Sequence, residues 1–388
     1  MQRHRAIVRR GDTCALQHVP TPTPGPGEVV IAAEMVSLCG TDIQILRGMR
    51  DDPSPIVGHE GLARVAAVGE GVENLAIGQR VMVNPTAPDD PSFLLGHNVE
   101  GLFQERTLLP ASAVTAGQIV SVGAHRDPKT TTGNGTDTVS STEADLDAGL
   151  GTLVEPLAVV RYALACLTRQ QVTHLVVLGG GLIGLLAALV ARRTFGPAMS
   201  ITVVHHNDDV RAWAQRALGP GLHHVDDRDA DTHLQHAVDA PCAVLAAGYR
   251  DATVTSIDTA ATLLRDRLRA VHAVGGVAAG DRSAVFPSLD LAAARAANTG
   301  APWPPRVSEE IPKGAATPVH FTGNRGVSND MLQAAFDELR RHGADYARLL
   351  THRVGMAEGV ALINTICRDK QRVVNGSPVI RLVVDLHR

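Results

Sequence analysis

Aromatic residues are scarce: Phe, Trp and Tyr make up 3% of 388 residues, too few for a stacking platform for single-stranded nucleic acid. Excess charge is also missing. The 36 Lys and Arg stand against 40 Asp and Glu, a formal charge of −4, which removes the electrostatic case for nucleic acid or an acidic membrane as main partner. Cysteine is sparse and odd in number, five in all (Cys14, Cys39, Cys166, Cys242, Cys367). That excludes a disulfide framework and fits a reducing compartment. The most apolar stretch, Leu175–Ala191, is too short and too broken by Gly179, Gly180, Gly181 and Gly184 to span a bilayer. The first ten residues lack the apolar core of a secretory signal. The expectation is a soluble cytoplasmic protein that handles small molecules.

What is present points to two kinds of architecture. The apolar content of 44% and charged content of 20% are globular values, and the length suggests two or three domains. Up to about residue 83, short apolar runs such as Ala6–Val8, Glu28–Val36, Gly61–Glu70 and Gln79–Val83 alternate with Gly and Pro turns, so this region reads as mostly β. Residues 124–148 are polar and read as a long exposed loop. From about residue 157, strands (Leu175–Leu178, Ser200–Val204, Cys242–Ala247, Ala270–Val274) alternate with helices (Leu182–Thr194, Asp208–Leu218). That alternation predicts a doubly wound, mainly parallel sheet. Residues 286–318 resist assignment. Asn329–His342 reads as a helix capped by Ser328 or Asn329, and Val379–Val384 as a final strand.

Gly179–Gly184 fits Gly-x-Gly-x-x-Gly between an apolar strand and a helix. The pattern allows a tight turn at Gly179, backbone approach to a pyrophosphate at Gly181 and close helix–strand packing at Gly184, with the helix N-terminus at Leu182 and Ile183 supplying N–H groups. A carboxylate that would hold the adenosine ribose is expected after the next strand. Here His205 or His206 takes that position. Histidine does not repel a 2′-phosphate and can donate to one, with Arg211 following, so the reading favours NADP over NAD.

A second set of residues supplies metal-binding chemistry. Cys39, His59 with Glu60, and Glu155 offer thiolate, imidazole and carboxylate, a tetrahedral zinc donor set whose irregular spacing requires separate loops. Together with the glycine loop, the stretches Ser37–Ile43, Ile56–Gly61 with Val68–Val72, Val154–Val159 and Leu350–Val354 resemble the zinc-dependent medium-chain dehydrogenases, in particular the sorbitol, threonine and polyol dehydrogenase branch. The resemblance runs along most of the chain and is weakest over 84–150 and 250–320.

The resemblance implies a Rossmann sheet domain plus a mostly β, GroES-like catalytic domain, divided as 1–156, 157–322 and 323–388. It makes Cys39 and His59 zinc ligands, with Glu60 and Glu155 as metal-shell carboxylates. Thr41 passes the substrate proton outward, Asp42 orients His59, and Arg325 faces the substrate. Members of this family often carry a four-cysteine structural zinc lobe. Asn84–Arg106 contains no cysteine, so one catalytic zinc and no structural zinc is expected. The implied activity is hydride transfer between NAD(P) and a secondary alcohol of a polyol, sugar, cyclitol or amino alcohol, in a homodimer or homotetramer. A zinc-free NADPH-dependent reductase and a non-catalytic nucleotide-binding protein are the competing readings.

Overall fold

The computed structural model describes residues 2–122, 145–236, 238–248 and 252–388. Most of the polar 124–148 loop lies outside the described residues.

Two sheets organise the chain. In the first, the strand order is His352–Gly355, Leu382–Asp385, Val29–Ser37, Gly61–Val68, Arg80–Val83 and Ile119–Ser121, with Thr107–Leu109 also pairing Val29–Ser37. The C-terminal strand Leu382–Asp385 pairs antiparallel with Val29–Ser37, Val383 opposite Ser37. The end of the chain thus completes a sheet that its beginning starts. A hairpin, Arg3–Arg10 with Thr13–Pro20, flanks it; its second strand has no counterpart in the sequence reading, because its burial alternates without an apolar run.

The second sheet has seven strands in the order His223–Asp226, Ser200–His205, His174–Leu178, Cys242–Ala246, Leu268–Ala273, Val319–Gly323, Ser308–Glu310. The first six are parallel and the last is antiparallel. In chain order the parallel strands run 3-2-1-4-5-6, so the topological switch lies between His174–Leu178 and Cys242–Ala246, where such sheets bind ligands beyond their carboxyl ends. The helix Leu182–Phe195 follows the first of these strands; Leu185–Ala191 are all buried, which explains its unbroken apolar run.

The helix Val154–Thr168 sits between the two sheets. Its Leu157, Val160 and Leu164 share one core with Leu62 and Met82 of the first sheet and with Leu175 and Val177 of the second. The helix Asn329–Ala347 packs on it. This last helix runs past His342, where its backbone leaves helical geometry (φ −135°, ψ 20°), so the sequence periodicity ends at the kink rather than at the helix end. Ser328 is its cap, its side chain accepting from Met331 N. The unassigned 286–318 stretch contains the helix Leu291–Ala296 and the edge strand Ser308–Glu310.

Four histidines are held neutral by the core. Burial is the largest cause in each case and lowers His174, His224 and His272 from 6.5 to about 4, and His205 to about 3. An unfolded chain protonates these rings below pH 6.5 while the folded chain refuses the proton, so stability is present above that pH and is lost as pH falls. Denaturant titrations should show the unfolding free energy dropping between about pH 7 and about pH 5, where four histidines outweigh the single raised carboxyl of Glu155, which acts with the opposite sign. Each withheld proton contributes at most about 1.4 kcal/mol per pH unit. A flat profile in that window would contradict this assignment.

Candidate metal and dinucleotide site

The helix Gly40–Leu46 starts at Cys39, which caps it: Asp42 N donates to Cys39 Sγ at 3.3 Å, and Cys39 N donates back to Asp42 Oδ2 at 3.0 Å. The same carboxylate accepts from Gly58 N at 3.1 Å through Oδ1. Asp42 is fully buried, and these two N–H bonds replace the water it has lost. It thereby clamps the helix start that carries Cys39 to the loop that carries His59.

The clamp brings Cys39 Sγ to 3.5 Å from His59 Nε2. His59 Nδ1 lies 3.7 Å from Asp42 Oδ1 and is buried without a hydrogen-bond partner. Ligand atoms of Cys39, Asp42 and His59 all lie within 4.8 Å of one another. Both Asp42 oxygens already serve backbone N–H groups, which leaves sulfur and nitrogen as the open donors. Burial, followed by the charges of Asp42 and Glu60, pushes the Cys39 thiol well above its usual range. A cation is what would turn this thiol into a thiolate. A buried S,N pair with a carboxylate beside the second imidazole nitrogen fits zinc.

The two glutamates stand beside this cluster rather than in it. Glu60 Oε2 pairs with Arg381 Nη2 at 2.5 Å and accepts from Ser37 Oγ at 3.2 Å. Arg381 is 2% exposed and also donates to Thr152 O at 2.7 Å. Glu155, in the first turn of Val154–Thr168, lines the same cleft. Its carboxyl is pushed up to about 7, first by burial and then by the nearby Glu60. Arg381 and His97 are the residues that sequence reading missed. His97 packs against His59, ring centroids 5.7 Å apart. Neither stands in a spaced motif, so only tertiary structure reveals them.

The cleft between the sheets has a volume of about 1110 Å³. Thr41, Cys39, His59, Glu60 and Glu155 line one wall, and Gly179–Ile183, His205 and His206 another. Gly179 has φ +117°, a conformation open to glycine. A Cβ on Gly180 would meet His205 Nδ1 at 2.0 Å, and one on Gly184 would meet Gly179 O at 1.9 Å. The loop is therefore a bare backbone cradle ahead of a helix N-terminus. His205 ends its strand, buried, with Nε2 2.9 Å from His224 Nδ1; His206 is exposed. Arg211 is absent from the cleft lining and pairs with Asp208 at 2.7 Å and Asp226 at 3.5 Å. Arg228, foremost, holds the Asp226 carboxyl far below its usual range. Arg325 is exposed on the cleft lining.

Residues 25–120 match the alcohol dehydrogenase GroES-like domain. The chain is 30% identical over 230 residues to glucose 1-dehydrogenase of Thermoproteus tenax, covering 54% of this chain and 59% of that one. It is 27% identical over 237 residues to sorbitol dehydrogenase of Bombyx mori, covering 58% and 62%. The chain is similar to zinc-type medium-chain dehydrogenases. It spans under two thirds of the length of these curated relatives. The fold matches 2R,3R-butanediol dehydrogenase of Bacillus subtilis with a TM-score of 0.66 at 18% identity, over 99% of this chain and 100% of that one. No described helix is long and apolar enough to cross a membrane.

Two measurements check the site. Cys39→Ser and His59→Gln should each reduce bound zinc from near stoichiometric to background by metal analysis, with the circular dichroism spectrum retained. Asp42→Asn should weaken zinc affinity by about 10- to 100-fold, the cost typical of removing a partner that orients a ligand.

Proposed function

We propose that the protein is an NAD(P)-dependent dehydrogenase that interconverts a secondary alcohol and its carbonyl on a small polyol, sugar, cyclitol or amino alcohol. The observation that carries this reading is the shared cleft: the Cys39–His59 donor pair and the glycine cradle face one space. When bound, zinc supplies Lewis acidity at the substrate oxygen and the dinucleotide takes the hydride.

The chain's own residues do the remaining work. Cys39 and His59 would hold the metal, and Asp42 fixes both. Glu60 and Glu155 complete its carboxylate surroundings, with Arg381 compensating Glu60. Thr41, on the cleft wall, accepts the hydroxyl proton of the alcohol and hands it toward solvent. In oxidation the carbinol would give up that proton, and its hydride would pass to the bound dinucleotide. The stretch 84–106, without cysteine, leaves the protein with a single zinc.

For the cofactor we favour NADP. The end of the strand Ser200–His205 presents a neutral imidazole and the exposed His206 instead of a carboxylate, so a 2′-phosphate meets no direct repulsion there. The division into a catalytic domain of 1–156 and 323–388 around a nucleotide domain of 157–322 is supported by the strand pairing of Leu382–Asp385 with Val29–Ser37. A homodimer or homotetramer would use the sheet edge at Ser308–Glu310, flanked by the exposed Val307 and Ile311.

A panel of polyols, sugars and amino alcohols assayed with NAD and NADP separately tests the reading, with reduced nicotinamide followed in the near ultraviolet. At least one alcohol should be oxidised, faster with NADP, and Thr41→Val should lower kcat by about 100-fold. Full activity in zinc-free protein would overturn the metal role; a strong NAD preference would overturn the cofactor choice. Gly180→Val should abolish dinucleotide binding in a fluorescence titration, because its side chain would collide with His205 and displace the glycine loop.

A further inference from the structure

The cleft carries more positive charge than alcohol oxidation requires. Six arginines line it against three carboxylates, Glu60, Asp89 and Glu155. Two arginines are already committed: Arg381 pairs with Glu60, and Arg50 with Asp52 at 2.9 Å. Arg306 and Arg325 differ. Both are exposed on the lining, and among the described residues their guanidinium groups carry no ion pair or hydrogen bond.

Their backbones place them on the metal side of the cleft rather than at the glycine cradle. Arg325 O accepts from Gly300 N at 2.8 Å. A Cβ on Gly300 would meet Pro88 Cγ at 2.4 Å, and one on Gly326 would meet Thr86 Cβ at 2.7 Å, so this loop rests on the 84–106 stretch. That stretch also carries His97, whose ring lies against His59. Arg306 is tied to the same loop: its N donates to Asn298 Oδ1 at 2.8 Å, and Asn298 Nδ2 donates to its carbonyl at 2.9 Å. The neighbouring Thr299 bridges to Arg325.

We propose that Arg306 and Arg325 form an anion subsite on the substrate side, and that the substrate is an alcohol bearing a carboxylate or phosphate remote from the reacting carbinol. The inference rests on the dehydrogenase reading above and narrows its substrate class. A planar guanidinium matches both anions by paired N–H donors, and two of them facing a cleft raise the local concentration of anionic alcohols.

The test uses the zinc-loaded full chain with sorbitol, its terminal phosphate ester and gluconate as substrates, in wild type, Arg306→Gln, Arg325→Gln and the double variant. In wild type, kcat/KM for one anionic substrate should exceed that for sorbitol by about 10-fold or more, as expected for charge-assisted hydrogen bonds. The double variant should cut that preference by about 10- to 100-fold, mainly through KM, and raising NaCl from about 0.05 M to about 0.5 M should shrink it in wild type. The anion with the larger loss identifies the group. Equal or better turnover of sorbitol in wild type overturns the subsite while leaving the dehydrogenase reading standing. So does an equal loss for all three substrates, or a weakened NADPH affinity in place of the substrate effect, which would give the arginines to the dinucleotide. If no alcohol is turned over, the dehydrogenase reading fails and calorimetry decides the subsite alone. Saturable binding of an anionic compound that the double variant loses supports it; no such binding overturns it.

Discussion

The site is assembled around one buried carboxylate. Asp42 has no solvent exposure, so it must be satisfied from within. It takes one N–H from Cys39 and one from Gly58, which are separated in sequence by a helix and a loop. Because those bonds fix the residue that caps a helix and the residue that precedes His59, sulfur and imidazole nitrogen are brought into reach without belonging to one motif. The carboxylate is negative and stationary, and a cation between Cys39 and His59 would repay its desolvation. Without that cation, the same carboxylate raises the thiol. The metal site and its anchor are therefore one electrostatic unit.

Around this unit, the fold supplies separation rather than more ligands. The helix Val154–Thr168 buries residues against both sheets, which fixes how far the Cys39–His59 pair stands from the glycine cradle. Glu155 lies at its start, so the spacer also delivers a carboxyl to the cleft. Glu60 is neutralised by Arg381 from the penultimate segment of the chain. This contact, like the pairing of Val383 with Ser37, makes the C-terminus part of the site wall. Closing a sheet with strands from both chain ends costs loop entropy only slowly with length, and it leaves the intervening parallel sheet free to carry the cradle.

What could be read from sequence follows the range of the forces involved. The glycine loop, the parallel strands and the helix Asp208–Leu218 are local or periodic, and their patterns survive in one dimension. Cys39, His59 and Asp42 were legible because the chemistry of a donor set is recognisable by residue type and resemblance. The strand Thr13–Pro20 was not, since it carries no continuous apolar run and its residues alternate between buried or half-buried and more exposed. The helix Leu291–Ala296 hides in an Ala-rich stretch where small side chains give little amphipathic contrast. Arg381 is a single charged residue flanked by apolar ones. Nothing near it in sequence shows that a glutamate more than three hundred positions away (|i−j| of 321) neutralises it.

The cysteine-free stretch 84–106 is held by apolar burial and side-chain amides. Phe93 and Leu95 are buried, and Asn84 Nδ2 donates to Val327 O at 2.8 Å and to Asn329 Oδ1 at 2.9 Å. Inside the lobe, Asn98 Oδ1 accepts from Leu94 N at 2.7 Å. Apolar anchors and side-chain amides thus do the local tethering, and they do it against the loop that carries Arg325. The cleft wall and the loop opposite it are consequently coupled, because a change at Pro88 or Thr86 is felt at Gly300 and Gly326, where a single methyl group has no room.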